Sequence, residues 1–176
     1  MAPAPRHVLL VIAPERFRDE EFAEPKRALE DAGHRVSVAS TRAGTATGML
    51  GARVAVDLTL AQAKPADYDG LVIVGGAGSP AHLWDCAPLA ALAKSLHAAG
   101  KPVGAICLSP PVLARAGILA GKRATTYPAD RAVVELKRGG ATYVEDAVVQ
   151  DGTVVTASGP EAAANFARTL TRLLTT

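Results

Sequence analysis

Val103-Gly104-Ala105-Ile106-Cys107-Leu108-Ser109-Pro110 is the stretch on which the fold of this 176-residue chain turns. Residues 103–106 are uncharged and small or aliphatic, as expected of a short strand buried on both faces. Ala105 and Ser109 place small residues two before and two after Cys107, and Pro110 suits a first helical turn. That is the pattern of a nucleophile elbow, in which a strand ends, a sharp turn presents one side chain, and a helix begins. A thiol there faces a helix N-terminus, whose dipole and free amides favour thiolate. The same cysteine can equally be a small buried hydrophobe that ends a strand.

Outward from this stretch, strands and helices alternate. Residues 71–74 (LVIV) form a second buried run that stops at Gly75-Gly76-Ala77-Gly78, and Ser79-Pro80 has the chemistry of a helix start. At the carboxyl edge of a parallel sheet the Gly75-Gly76 turn can offer amides to an oxyanion, or be a plain tight turn. Residues 7–13 (HVLLVIA) and 35–39 (RVSVA) read as strands around a helix over 20–32 that Gly33 terminates. Residues 44–58 suggest a small hairpin excursion. Helices are expected over 89–99, 110–116 and 130–138, a short strand over 123–126, and two strand runs within 142–157 around Asp151-Gly152. A last helix opens at Ser158-Gly159-Pro160-Glu161. The fold class is therefore α/β: a doubly wound, mostly parallel sheet flanked by helices on both faces. No repeat or linker divides the chain, so one domain over 1–176 is expected, with 1–6 a flexible N-terminus.

Composition narrows the function classes. Hydrophobic residues make up 49%, charged residues 20% and aromatics 4%, with a formal charge of +2. The basic residues are scattered and not interleaved with aromatics, which argues against a nucleic-acid partner. No stretch approaches the roughly 18 consecutive apolar residues of a membrane span, and no leader pattern opens the chain. The two cysteines make neither a disulfide framework nor a zinc pattern, so a cytoplasmic protein with reduced thiols is expected.

The cysteine stretch, with Pro110, resembles the "A-x-x-A-I-C-x-G-P" elbow of the ThiJ/PfpI superfamily. Ala32-Gly33-His34-Arg35-Val36 is similar to its "A-G-H-x-V", and Tyr68-Asp69-Gly70-Leu71-Val72 through Gly75-Gly76 to its "Y-D-A-L-V-x-P-G-G". Residues 116–122, Thr125-Thr126-Tyr127-Pro128, residues 151–156 and Ser158-Gly159-Pro160 agree in order and spacing. The resemblance implies a flavodoxin-like, class I glutamine amidotransferase-like fold and Cys107 as nucleophile. It also implies a buried, commonly protonated glutamate on the first helix, four residues before a proline, that bonds the cysteine sulfur and shuttles protons. Glu21 stands four before Pro25; from composition alone it belongs equally to a solvated acidic first turn with Asp19 and Glu20.

Two departures bear on mechanism. Protease members carry His directly after the cysteine, where this chain has Leu108, and the parkinsonism-associated deglycase branch has "T-T-H-P", where it has Tyr127. Tyr127 is thus an auxiliary candidate in place of the missing histidine. His82, near the Gly75-Gly76 turn, is either a second auxiliary or a solvated first-turn residue. His7, His34 and His97 suit strand edges or helix surfaces, Cys86 is structural or incidental, and Trp84 suits packing or a subunit contact.

What the resemblance implies is a cofactor-independent and metal-free enzyme in which Cys107 attacks a small-molecule carbonyl. Glu21 moves the proton, and the backbone of Gly75, Gly76 and Leu108 holds the oxyanion. The reaction would hydrate α-oxoaldehydes to 2-hydroxy acids, as in glyoxalases and deglycases. The alternatives are a redox-sensing or stress-response protein whose Cys107 is oxidised, or another cysteine hydrolase or hydratase, peptidase chemistry being disfavoured. The resemblance also implies a homo-oligomer, dimer or higher, with its pocket near a subunit interface.

Overall fold

The computed structural model describes residues 3–176. Most of the expected flexible terminus carries no regular element, although Arg6 is tied down by two backbone bonds: its N–H donates to His34 Nδ1 and its carbonyl accepts from Arg35 N–H. Residues 1 and 2 of that expectation lie outside the described residues.

The chain runs β1 (His7–Val11), β2 (Glu15–Phe17), α1 (Asp19–Asp31), β3 (Arg35–Ser40), β4 (Gly44–Gly48), β5 (Arg53–Val56), β6 (Leu58–Thr59), β7 (Gly70–Ile73), α2 (Ser79–His82), α3 (Ala87–Ala98) and β8 (Val103–Ile106). Then follow α4 (Pro110–Arg115), β9 (Arg123–Ala124), α5 (Asp130–Arg138), β10 (Thr142–Tyr143), β11 (Val148–Asp151), β12 (Val154–Ala157) and α6 (Ala163–Leu174). Seven strands form the main sheet in the order β11-β12-β8-β7-β1-β3-β6. Every pairing in it is parallel except the β11–β12 hairpin around Asp151-Gly152.

Continuous apolar strands are what such a sheet requires, because both faces are covered. Along β1, Leu9 and Val11 turn to one face, where Leu89, Leu92 and Leu96 of α3, Leu113 of α4 and Leu136 of α5 pack. Val8 and Leu10 turn to the other, against Phe22 and Leu29 of α1 and Phe166, Leu170 and Leu174 of α6. Helix α1 ends as its sequence foretells: Gly33 takes φ 87° and His34 N–H reaches back to the Leu29 carbonyl. The expected hairpin at 44–58 exists as β4 and β5, which join β2 in a small three-stranded sheet apart from the main one.

Four local expectations need correction. The strand expected over 123–126 stops at Ala124, and Thr125 and Thr126 turn away to bond elsewhere. The 142–157 region holds three strands, because Thr142 and Tyr143 pair with β9. Ser79-Pro80 opens a helix as expected, but its N-cap is Gly78 rather than Ser79 and it lasts a single turn. His34 is no surface residue: it is 5% exposed, and the removal of its ring from water holds its pKa below the usual histidine range. Among the described residues, no helix is long and apolar enough to cross a membrane.

The absence of a side chain at Gly104 sets how closely α6 approaches the sheet. A β-carbon there would lie 2.9 Å from both Leu170 Cδ2 and Phe166 Cζ. Gly104→Val should therefore destabilise the chain by about 1–3 kcal/mol through overpacking, despite valine's better strand propensity. Urea unfolding of the two proteins checks this; an equal or higher midpoint in the variant would refute such tight β8–α6 packing.

Candidate active site

Parallel pairing of β7 and β8, with Ile73 opposite Ala105, brings their carboxyl ends side by side. Gly75 and Cys107 leave the sheet there together. Cys107 takes φ 63°, a left-handed conformation that costs an L-residue about 1–2 kcal/mol. Several bonds hold it. Its N–H extends the ladder to the Ala157 carbonyl at 2.9 Å, and its carbonyl accepts from Thr126 Oγ1 at 2.7 Å and Tyr127 N–H at 2.9 Å. Ser109 Oγ donates to the Val74 carbonyl at 2.6 Å and lies 3.0 Å from Ser79 Oγ. On the far side, Trp84 Nε1 donates to the Leu108 carbonyl at 2.6 Å.

Glu21 is fully buried rather than solvated. A β-carbon on Gly75 would stand 2.5 Å from Glu21 Oε1, 2.6 Å from Cys107 Cβ and 2.4 Å from the Ile106 carbonyl oxygen. The carboxyl, the cysteine and the strand end thus meet at a point that only glycine leaves open. Glu21 feels the Cys107 thiol and the Gly75 N–H, but neither contact has full hydrogen-bond geometry, so both buried carboxyl oxygens lack a partner.

Burial decides the protonation of this pair. Removal from water pushes Glu21 up to about 8, against the smaller opposing pull of the thiol, the Gly75 amide and the Arg18 charge. The carboxyl holds its proton at neutral pH. Burial, followed by the nearby Glu21 charge, pushes the Cys107 thiol up to about 12. The nearby amides of Gly76 and Leu108 oppose this without overcoming it. The thiolate-favouring effect expected from the elbow is present but outweighed, because Cys107 is 6% exposed and the helix beyond it has six residues. Of the three expected oxyanion backbones, the amide of Gly75 acts on the Glu21 carboxyl and those of Gly76 and Leu108 act on the sulfur.

A cavity of about 800 Å³ opens beside the elbow, lined among others by Arg18, Thr126, Tyr127, Tyr143 and Ser158. Neither Cys107 nor Glu21 lines it directly, and the Thr126–Tyr127 turn that bonds the Cys107 carbonyl forms its inner wall. Tyr127 is 44% exposed in this wall. His82 does not line this cavity, and its Nε2 lies 3.1 Å from Glu15 Oε1. Sequence reasoning missed Trp84 and Arg18. Arg18 adjoins the site through its N–H on the Gly75 carbonyl and a two-point pairing with Glu20. Among the described residues, no group of three or more His, Cys, Asp or Glu side chains is gathered where it could hold a metal ion.

The DJ-1/PfpI family model matches residues 6–173. An uncharacterised protein of Methanocaldococcus jannaschii is 51% identical over 159 residues, covering 90% of this chain and 78% of that one. A deglycase of Pyrococcus abyssi is 35% identical, covering 86% of this chain and 90% of its own. Among solved structures, a ThiJ/PfpI domain protein from Brachyspira murdochii superposes with a TM-score of 0.91 at 34% identity, over 97% of this chain and 96% of that one.

The buried carboxyl has a thermodynamic signature. Glu21 titrates near 4.5 in the unfolded chain and near 8 when folded, so the folded state holds the extra proton between those values. Its contribution is complete below pH 4.5 and is lost as pH rises to about 8, a swing on the order of a few kcal/mol. Glu21→Gln keeps a neutral group and abolishes this titration, so its stability relative to wild type should increase from pH 5 to pH 8. Urea denaturation at both pH values tests the sign; parallel pH dependence in the two proteins would place Glu21 in a solvated, ordinary environment.

Proposed function

Because the chain belongs to the DJ-1/PfpI family and Glu21 meets Cys107 at the Gly75 gap, we propose that it is a cofactor-independent cysteine enzyme acting on reactive carbonyls. The reaction is of the glyoxalase or deglycase type, hydrating α-oxoaldehydes to 2-hydroxy acids. The observation that carries the reading is a fully buried carboxyl set beside a buried thiol at the gap that Gly75 leaves open. Such a carboxyl is costly to keep for stability and well suited to proton transfer. Deglycase-named relatives support the same direction.

In this reading the Glu21 carboxylate takes the thiol proton as sulfur bonds to the aldehyde carbon, and passes it to the resulting alkoxide. The amides of Gly76 and Leu108, which face the sulfur, lie on the side where that oxyanion forms. Glu21 next moves the remaining C–H proton to the adjacent carbonyl carbon, while the hydroxyl proton passes to that carbon's oxygen. The first carbon is thereby oxidised to a thioester as the second is reduced to an alcohol. Water cleaves the thioester, releases the 2-hydroxy acid and restores the thiol. Oxidation sensing by Cys107 is the weaker reading, since burial alone holds the thiol above its usual range and leaves little thiolate for oxidants. The enzyme would work in the cytoplasm, where its thiols stay reduced.

Incubation with methylglyoxal should yield lactate, with turnover rising through neutral pH and levelling near 8 as Glu21 ionises. Cys107→Ser should abolish the reaction, and Glu21→Gln should lower kcat by about 10²–10⁴-fold. Tyr127→His should raise turnover by supplying a better-matched proton carrier. Retention of lactate formation in Cys107→Ser, measured by proton NMR, would exclude the mechanism.

The chain is also proposed to form a homo-oligomer. Met49 and Leu50 present apolar side chains on the β4–β5 turn, next to Ala77 of the glycine turn, whose N–H approaches Met49 Sδ at 3.4 Å. Light scattering at micromolar concentration should give at least twice the 18.0 kDa of one chain; a clean monomer rejects the proposal.

A further inference from the structure

We infer that Trp84 is a positioning residue of the Cys107 elbow, holding the Leu108 backbone so that its amide stays directed at the sulfur. The inference rests on the cysteine-enzyme reading above, but its principal measurements require no turnover.

Leu108 lies between two peptide groups. The first carries the Cys107 carbonyl, pinned by Thr126 Oγ1 and Tyr127 N–H, and the Leu108 N–H that faces the sulfur. The second carries the Leu108 carbonyl and the Ser109 N–H, which donates to the Ile106 carbonyl at 3.0 Å. Trp84 Nε1 supplies the side-chain donor to that second peptide, at 2.6 Å. With both planes held, the backbone dihedrals of Leu108 are fixed from either side. Without the indole donor, the half-buried Leu108 carbonyl loses its side-chain partner, and the residue between the planes can rotate.

The indole is itself held rigidly. Trp84 is 4% exposed, with the guanidinium carbons of Arg115 and Arg131 lying 5.1 Å and 4.8 Å from its ring centroid. Arg115 is in turn anchored by two bonds to Glu135, at 2.8 Å and 3.1 Å, and by Asp85. The segment carrying Trp84 touches the elbow a second time: Trp84 N–H donates to the Ser79 carbonyl, and Ser79 Oγ meets Ser109 Oγ. These contacts favour the one ring orientation that directs its N–H at Leu108. The charges that bear on the sulfur, Glu21 from α1 and Arg18 just before it, lie outside this arrangement and are untouched by changes to the indole.

The chain contains one tryptophan, so one indole N–H resonance reports on the bond. In the wild type that resonance should exchange slowly and shift when Cys107 is alkylated. Trp84→Phe, and an analogue protein grown with the benzothienyl isostere of tryptophan, both remove the donor; the isostere keeps the ring's shape if Phe perturbs folding. In both, iodoacetamide alkylation of Cys107, followed by peptide mapping, should slow by about three- to tenfold at pH 8, with its pH profile moved upward. Under the carbonyl reading kcat should fall with KM unchanged. Unchanged or faster alkylation in the isostere protein overturns the role of Trp84, even if wild-type turnover is robust. Slowed alkylation without any wild-type turnover keeps that role and removes the carbonyl reading instead.

Discussion

The space beside Gly75 constrains everything around it. The end of β7, the end of β8 and the first turn of α1 approach so closely there that a single β-carbon would stand 2.4–2.6 Å from atoms of Ile106, Glu21 and Cys107. Parallel strand pairing brings two of these segments together, and the packing of α1 against the same sheet face supplies the third. Once the gap is closed by backbone rather than by a side chain, Glu21 has no route to solvent. Its burial, its retained proton and its proximity to the thiol all follow from that closure.

Two opposing effects act on the thiol, and their relative sizes determine its resting state. Amides of Gly76 and Leu108 favour the anion, as an elbow is built to do, while loss of water and the charge of Glu21 oppose it. Burial wins. At neutral pH Glu21 keeps its proton, so the repulsive contribution of its charge is largely absent and desolvation remains as the principal cause. A thiolate and a Glu21 carboxylate are therefore poor companions in this site. Under the proposed function, one proton fewer than the resting pair is the working state, and a substrate that consumes the sulfur's charge by forming a covalent bond relieves the conflict.

The legibility of these features in the sequence differs for physical reasons. The strands at 71–74 and 103–106 are readable because burial on both faces leaves only aliphatic and small residues, and the elbow because its crowding admits only small neighbours. Glu21 is different. Asp19-Glu20-Glu21 has the composition of any solvated first turn, and only its spacing to Pro25 within a family resemblance singles it out. Burial of one carboxyl among three is a tertiary fact. The same holds for Trp84, whose partner is a backbone carbonyl 24 residues away and leaves no local pattern. The extent of the 123–126 strand is overstated because Thr125 and Thr126 have good strand propensity; hydrogen bonds to Thr156 and to the elbow override it.

The elbow carries two costs, a left-handed cysteine at about 1–2 kcal/mol and a carboxyl whose buried oxygens lack partners, each such group costing about 1–3 kcal/mol. Against them stand the bonds from Ala157, Thr126, Tyr127, Ser109 and Trp84, each worth about 0.5–1.5 kcal/mol net. The two sides are comparable, so the strained turn persists because its surroundings over-determine it, not because its own residues prefer it. That balance places rigidity on the backbone and leaves the chemistry to one side chain. Where the resemblance sets histidine this chain has Leu108 and Tyr127, so under the proposed function proton transfer falls to Glu21. Burial tunes that carboxyl to about 8, which under the proposed function lets it exchange protons with the thiol near neutrality.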